Sequence, residues 1–306
     1  MKKLVSILIV LAMVLSFAAC GSEPAADGKY TVGICQLVQH VALDAATQGF
    51  IDALNEALPG QVTFDNQNAS GDIPMCSTIV NQFVASEVDL ILANATPALQ
   101  AAATATADIP ILGTSVTDYA DTFAGSIPAN VSGTSDAVPF DEQAQMMIDT
   151  LKLVAGDQVG VLYCSDESNS LIQYEAVKAL FEEKGIEVKA YTFSETTELQ
   201  ALVTSMAANV KAVYIPSDNT VAQNDTIVGT ICSEQKVPVY TSYGGAVCYA
   251  SLAISYYDLG YETGVMAAQI LLGQKTPADI AVKTLTPTVT YNSELCQQLG
   301  ITVPEK

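Results

Sequence analysis

Short apolar segments alternate with longer amphipathic segments along most of this chain. In the longer segments, residues such as Leu43, Ala46 and Phe50 recur at steps of three and four, as on one face of a helix. The strand-like segments are 30–35, 62–65, 88–92 and 109–112 in the first half, and 159–163, 187–191, 212–215, 237–241 and 252–255 in the second. Because each crossover between parallel strands lays a helix on the sheet, the alternation predicts an α/β fold. A connector near 130–139 divides it into two doubly wound, parallel-sheet lobes with a ligand cleft between them.

The N-terminus has the pattern of a secretory signal. Lys2 and Lys3 precede an apolar run from Leu4 to Phe17, and Ala18-Ala19 then meet Cys20. The run is shorter than the about 20 residues of a membrane-spanning helix. The Ala-Ala-Cys junction resembles the lipobox of bacterial lipoproteins. We therefore expect a signal peptide at 1–19, lipidation at Cys20, a tether at 20–28, and an exported protein held by lipid on the outer face of the bacterial cytoplasmic membrane.

Charge excludes one class of partner. The formal net charge is −21, so binding to nucleic acid, which requires a basic surface, is not expected. All 12 basic residues are lysines. A bound carboxylate must therefore be held without a guanidinium group, by lysine, hydroxyls or helix N-termini.

Common catalytic and metal-binding patterns are missing. His40 is the single histidine, and the chain has no GxSxG, GxxxxGK, GxGxxG or HExxH motif. We expect a protein that is not an enzyme and that carries no metal or cofactor. Six cysteines follow Cys20 without a CxxC spacing; the sequence is compatible with buried thiols and leaves disulfide pairing open.

Polar residues concentrate where the strands end, which is where ligands bind in open α/β sheets. Many of these residues are of the types that cap helices, and capping alone accounts for a residue type at any single position. Carboxylates beside amides and hydroxyls could hold an ammonium group, and helix N-termini could hold a carboxylate. The candidate ligand-binding residues are Gln36, His40, Thr96, Thr117, Asp118, Ser135, Asp136, Glu167, Asn169, Ser170, Asp218, Asn219, Tyr243 and Tyr256. This set fits a small zwitterion such as an amino acid, with a sugar as the nearest alternative.

Several motifs, in their order and spacing, resemble those of a known family, the ABC-transporter substrate-binding lipoproteins of the tryptophan/tyrosine type. The motifs are Val32-Gly33-Ile34 with Gln36-Leu37-Val38, His40 with Leu43-Asp44, Asp89–Ala93 before Thr96-Pro97, Val116-Thr117-Asp118, Asn130–Gly133 before Ser135-Asp136, Tyr163, Glu167 with Asn169-Ser170, Asp218-Asn219-Thr220, and Tyr256-Tyr257 before Leu259-Gly260. Two departures, Val41 and Tyr119, stand where the family usually has proline.

The resemblance implies a type I periplasmic-binding-protein fold, with one lobe at 29–135 and 256–285 and the other at 136–255 and 286–306. It also implies hinge closure over an aromatic or hydrophobic amino acid and delivery to a membrane permease with a separate ATPase. Three alternatives stay open: a sugar or nucleoside binder of the same fold, a sensory binding protein without transport, and an extracellular hydrolase.

Overall fold

The computed structural model describes residues 29–304, so the predicted signal peptide and the lipidation of Cys20 lie outside the described residues. Helices and strands alternate along the described chain. The elements of the first half are β1 (Tyr30–Gln36), α1 (Val41–Ala57), β2 (Val62–Asn68), α2 (Ile73–Ala85), β3 (Leu90–Asn94), α3 (Thr96–Ala105), β4 (Ile111–Val116), α4 (Tyr119–Thr122) and β5 (Val131–Ser135).

The second half repeats the alternation and ends in two returning segments. Its elements are α5 (Phe140–Leu151), β6 (Gln158–Cys164), α6 (Ser168–Glu183), β7 (Glu187–Phe193), α7 (Thr196–Ala207), β8 (Ala212–Ile215), α8 (Asn219–Gln223), α9 (Asp225–Glu234), β9 (Val239–Thr241), β10 (Ala250–Ala253), α10 (Tyr256–Leu271), a 3₁₀ turn (Pro277–Asp279), β11 (Lys283–Thr284), β12 (Thr288–Tyr291) and α11 (Ser293–Leu299).

Two six-stranded sheets organise the molecule. The first has the strand order β11-β5-β4-β3-β1-β2, and the second has the order β12-β10-β9-β8-β6-β7. Every strand pair is parallel except β10 with β12, which is antiparallel at an edge. The predicted fold class is therefore confirmed. The wholly buried apolar strands, such as β3, are those that helices cover on both faces.

The chain crosses between the lobes at three places. It leaves the first sheet after β5, returns to it through α10, and leaves again between β11 and β12. Helix α10 packs closely along α1, and Gly260 makes this possible, because a Cβ at that position would overlap the Ala46 carbonyl oxygen. The last helix, α11, packs against the second lobe through Cys296.

The sequence predicts a connector near 130–139, but residues 131–135 form strand β5 of the first sheet. Its hydroxyls are buried and hydrogen bonded: Ser132 Oγ donates to the Ile280 carbonyl at 2.7 Å, and the hydroxyls of Thr134 and Thr263 are 2.8 Å apart. Gly133 has φ of +144°, and a Cβ there would overlap the Gly113 carbonyl oxygen. Tertiary contacts, not apolar composition, make this segment a strand.

Two smaller expectations also need correction. The sequence predicts one helix from Val221 to Glu234, but the structure divides it into α8 and α9, since Asn224 leaves the helical region with φ −111° and ψ 19°. A spacing of four residues places Met75, Ile79 and Phe83 on one side of α2, but Met75 is 41% exposed while the other two are buried. The cysteines Cys35, Cys76, Cys164, Cys232, Cys248 and Cys296 are buried and, within residues 29–304, free of disulfides. Across the same residues no helix combines the length and apolar character needed to cross a membrane.

Candidate functional site

The carboxyl ends of the two sheets lie against each other across a cleft, and buried polar side chains gather there. From the first lobe these are Gln36, Asn94, Thr96, Ser115, Thr117 and Ser135; Asp136 lies at the crossing; from the second lobe they are Glu167, Asn169, Ser170, Gln173, Asp218 and Asn219. Buried polar groups need partners, so the partners of each group show whether it supports the fold or remains available to a ligand.

Two hydrogen bonds connect the lobes directly. The His40 ring and the Asn219 side chain meet at 3.2 Å between Nε2 and Oδ1. The Gln173 amide donates to Thr117 Oγ1 at 3.3 Å. The lobes are therefore closed on each other at both points.

Glu167 fixes the start of α8 by accepting four hydrogen bonds. The backbone N–H and side-chain amide of Asn219 donate to one carboxylate oxygen, at 2.9 and 2.6 Å. The N–H and hydroxyl of Thr220 donate to the other, both at 2.8 Å. This carboxylate, 2% exposed, has its acceptor capacity filled within its own lobe.

Asp218 caps α8 and ties it to β6. Its carboxylate accepts from the N–H of Cys164, from the Ser170 hydroxyl and from the N–H of Val221, each at 2.8 Å. Burial, and then the nearby Glu167 charge, raise the pKa of Asp218, while the three donors oppose the rise. Both carboxylates therefore organise the second lobe.

The buried N-terminus of α3 is different, because its cap residue supplies no side-chain acceptor. The pair Thr96-Pro97 predicts Thr96 as N-cap with proline at the first helical position, but Ala95 occupies the cap position with φ of +94°, and in the described structure no side chain caps the helix. The N–H groups of Thr96 and Ala98 have no intrahelical acceptor. With Thr96 3% and Ala98 0% exposed, an anion at this helix end would be held by N–H donors and the helix dipole.

Ser115 lies beside this helix end, in a β-bulge of β4. The pairing register of β4 with β5 shifts between Gly113 and Val116. Ser115 is in the left-handed region, with φ of +56°, which favours glycine. Its buried Oγ has no hydrogen-bond partner among the described residues. The Ala95 N–H donates to the carbonyl of Thr114, so the two unusual backbone segments are neighbours.

Asp136 supplies a buried carboxylate at the crossing between the lobes. It accepts from Thr117 Oγ1 at 3.0 Å and from the Tyr256 hydroxyl at 2.7 Å, one bond to each oxygen. Burial is the main cause that raises its pKa, since desolvation disfavours the charged form. Each oxygen retains a lone pair, so Asp136 can accept a further cationic donor.

Three buried polar atoms of the second lobe lack partners within residues 29–304: Asn169 Oδ1 and the hydroxyl oxygens of Tyr191 and Tyr243. Tyr243 also lines a groove of about 580 Å³ between the lobes, together with His40, Ile254, Tyr256 and Tyr257. The groove has aromatic and aliphatic walls near the cleft and can accept an apolar side chain.

The other candidate residues have mainly local partners. The Gln36 amide donates to the Val38 carbonyl and to Asp44, and its oxygen accepts from Thr47. Asp118 caps the short helix α4. Ser135 Oγ donates to the carbonyl of Thr117. These residues support the cleft from beneath.

Sequence reasoning left Ser115, Gln173 and Asn94 out of the candidate set. Gln173 lies one helical turn after Asn169 and shares its face, a spacing that the sequence contains. Asn94 ends β3, and its buried Oδ1 also has no partner in the described part of the chain. Ser115 belongs to a polar segment at the end of β4, but its left-handed backbone leaves no pattern in the sequence.

Two α/β lobes that meet at a polar, partly unpaired cleft define a class of protein, the two-lobed ligand-binding proteins of the periplasmic-binding-protein fold. The chain belongs to the ABC transporter substrate-binding protein family, whose family model matches residues 31–306. The family resemblance stated from the sequence is thereby confirmed. Members of this family are binding proteins.

Three relatives illustrate the similarity. A tyrosine-binding protein of Clostridioides difficile (strain R20291) is 35% identical over 311 residues, covering 94% of this chain and 89% of its own. An ABC domain in complex with L-Trp from Streptococcus pneumonia is 34% identical, with a TM-score of 0.84 and coverage of 90% and 96%. A ligand-free, open substrate-binding protein with adhesive properties from Clostridium difficile has the same identity and coverage but a TM-score of 0.67. This order of TM-scores agrees with the closed arrangement of the lobes.

Proposed function

We propose that this protein is the extracytoplasmic solute-binding component of an ABC importer and captures a zwitterionic amino acid, aromatic or large and hydrophobic, in the interlobe cleft. The observation that carries the proposal is the buried, uncapped N-terminus of α3 beside Ser115. It provides what a carboxylate needs in a chain without arginine.

The ligand carboxylate binds at this helix end. The N–H groups of Thr96 and Ala98 point toward it by helix geometry, and the Ser115 hydroxyl adds a donor. A sugar has no charge to match the helix dipole, so this feature favours the amino acid over the sugar or nucleoside alternative.

The ligand ammonium binds Asp136. Thr117 follows Ser115 by two residues, and its hydroxyl donates to Asp136, so the two charged subsites are neighbours. Bound ammonium compensates the carboxylate for its desolvation and favours its ionised form. Glu167 and Asp218, both considered from the sequence as ammonium partners, are instead occupied by donors of the second lobe.

The ligand side chain occupies the groove near Tyr243 and Tyr256, whose walls suit an aromatic ring. The relatives support this assignment, since one is described as tyrosine-binding and another was solved with L-Trp. Lipidation of Cys20 would keep the closed, loaded protein at the membrane, where it would pass the ligand to a permease driven by a separate ATPase. We expect binding without turnover.

Calorimetry with the purified protein, unfolded and refolded to remove carried ligand, tests the proposal. All common amino acids, sugars and nucleosides are titrated into the protein and into the variant Ser115→Ala. Binding confined to aromatic or large aliphatic amino acids, weakened about tenfold or more in the variant, is expected from loss of one hydrogen bond to a charged group. The matched control is Ser205→Ala, an exposed serine of α7.

Binding of sugars or nucleosides alone would overturn the proposed ligand. Transport and sensing are separated by uptake: cells that lack the protein should accumulate less of the labelled amino acid. Normal uptake together with tight binding would favour the sensory role.

A further inference from the structure

We propose that Asn169 is the residue that selects ligands carrying a hydrogen-bond donor on their aromatic ring, an indole N–H or a phenol O–H, over ligands with a bare ring. The inference rests on the proposed function, because it assumes that an aromatic amino acid occupies the cleft. The observation behind it is the buried acceptor Asn169 Oδ1, which has no partner within residues 29–304.

The orientation of the Asn169 amide is fixed by its neighbour. Its Nδ2 donates to the carbonyl oxygen of Ser217 at 2.8 Å. If the amide were rotated by half a turn, two carbonyl oxygens would face each other without a proton between them. Oδ1 is therefore an acceptor in a fixed position, and a ligand can satisfy it only by donating.

The acceptor lies on the face of α6 that is turned toward the other lobe. Asn169 and Gln173 are four residues apart on this helix and so share a face. Gln173 reaches across the cleft to Thr117 of the first lobe. Asn169 lies one turn nearer the helix start on the same face and is 3% exposed. Ser217, whose carbonyl accepts from Asn169, has its hydroxyl oxygen 2.9 Å from that of Ser242, the chain neighbour of the groove residue Tyr243.

The chemistry around Asn169 favours a neutral donor. The carboxylates nearest to it in the chain and the fold, Glu167 and Asp218, already accept four and three hydrogen bonds. An ammonium group buried here would meet carboxylates that are largely taken up by these donors, whereas Asp136, at the crossing between the lobes, accepts only two hydrogen bonds. A neutral N–H or O–H pairs with a neutral amide oxygen without that cost.

An unpaired buried acceptor works mainly by rejection. When a ligand with a donor binds, it replaces the water that the oxygen loses on closure. When phenylalanine binds, closure leaves Oδ1 desolvated and without a partner, which is the situation that gives strong discrimination against a ligand that lacks one hydrogen-bonding group. All these ligands carry the same amino and carboxylate groups, so the subsites that bind those groups do not distinguish between them.

The test measures dissociation constants of L-tryptophan, 1-methyl-L-tryptophan, L-tyrosine and L-phenylalanine for the protein, for Asn169→Leu and for Asn209→Leu. Asn209 is an exposed control in the same lobe whose amide also donates to a carbonyl, that of Ser205. We expect tyrosine to bind at least tenfold more tightly than phenylalanine, and tryptophan more tightly than its N-methyl derivative. Asn169→Leu should reduce both ratios to within about threefold, and Asn209→Leu should leave them unchanged.

Equal binding of tyrosine and phenylalanine by the unmodified protein would overturn the inference without the need for a variant. So would an Asn169→Leu protein that binds all four ligands more weakly by one common factor, because that result describes a structural role. If none of the four ligands binds, the proposed aromatic ligand itself fails, and the inference fails with it. Binding without discrimination refutes the inference alone.

Discussion

The Nε2–H of His40 donates to Asn219 Oδ1 at 3.2 Å and so joins the two lobes through a single neutral ring. Nδ1 of the same ring lies 3.5 Å from the N–H of Leu43 and accepts at the start of α1. Asn219 in turn donates to Glu167, which leaves its amide oxygen facing the histidine. The three contacts together fit the neutral tautomer that carries its proton on Nε2, so His40 is uncharged in this hydrogen-bonding arrangement.

Ligand affinity should fall as the solution is acidified, because closure disfavours protonation of His40. Burial lowers the pKa of His40 in the closed state, although Asn219, Glu167, Asp44 and Asp225 act in the opposite direction. In an open state the ring is more hydrated and its pKa is closer to the ordinary value of about 6.5. Protons therefore bind the open form more tightly than the closed form. As pH falls from about 6.5, the ordinary pKa in the open state, through the lowered pKa of the closed state, closure becomes less favourable.

The measurement is the dissociation constant of the ligand between pH 5 and pH 8. One proton limits the slope to at most about tenfold per pH unit. His40→Asn keeps an N-capping side chain but does not titrate, so its affinity should vary much less over this range. A variant with the same slope as the unmodified protein would show that another group controls the pH dependence.

Asp136→Asn should change stability and binding in opposite directions. Burial raises the pKa of Asp136 in the folded protein, so ionisation removes stability as pH rises through that raised value. The neutral variant avoids this loss and should unfold at a higher temperature near pH 7 in the ligand-free protein. The difference from the unmodified protein should shrink as pH is lowered and Asp136 becomes protonated.

The same variant should bind the amino acid at least about 30-fold more weakly, because the ligand ammonium loses its buried charge partner. Thermal unfolding with and without ligand measures both effects. Asp141→Asn, on the exposed side of α5, is the matched control and should change neither. Undiminished affinity in Asp136→Asn would remove this residue from the ammonium subsite.

Asp218→Ala should mainly destabilise the second lobe. The substitution leaves the buried N–H groups of Cys164 and Val221 without their acceptor and removes the N-cap of α8. The cost is about 3 kcal/mol of the free energy of unfolding, or roughly 6–12 °C in melting temperature for a protein of this size. Differential scanning calorimetry tests this, with Glu183→Ala at an exposed position of α6 as the control. A melting temperature within 2 °C of the unmodified protein would mean that these donors find other acceptors, since about 0.5 kcal/mol is the usual effect of surface changes.

The fold class could be predicted from the sequence because short strand-like apolar segments alternate with segments of helical periodicity. This order of elements is compatible with few folds other than an α/β fold with parallel sheets. Segments whose conformation depends on tertiary contacts could not be predicted in this way. Strand β5 has a polar composition, and its place in the sheet depends on partners such as Thr263, more than 100 positions away. No local pattern could have revealed them.

The sequence indicated where the cleft lies, but it did not indicate what each polar residue does there. The loops that end the strands do meet at the cleft, as parallel sheets require. Residue type alone could not show that Glu167 is filled by four donors, because those donors are brought to it by the fold. Thr96-Pro97 has the composition of a capped helix start, and only the backbone conformation of Ala95 shows that the helix is uncapped.

Gly260→Ala should destabilise the protein even though alanine is favoured over glycine in helices by about 1 kcal/mol. The added methyl group would overlap the carbonyl oxygen of Ala46, so α1 and α10 would have to separate along a buried contact. Because protein interiors are close-packed, such overpacking costs about 1–3 kcal/mol beyond the gain in helix propensity. Thermal unfolding should show a lower melting temperature, whereas Val265→Ala, on the exposed face of the same helix, should change it little. A higher melting temperature for Gly260→Ala would show that α1 and α10 are not packed as closely as this contact requires.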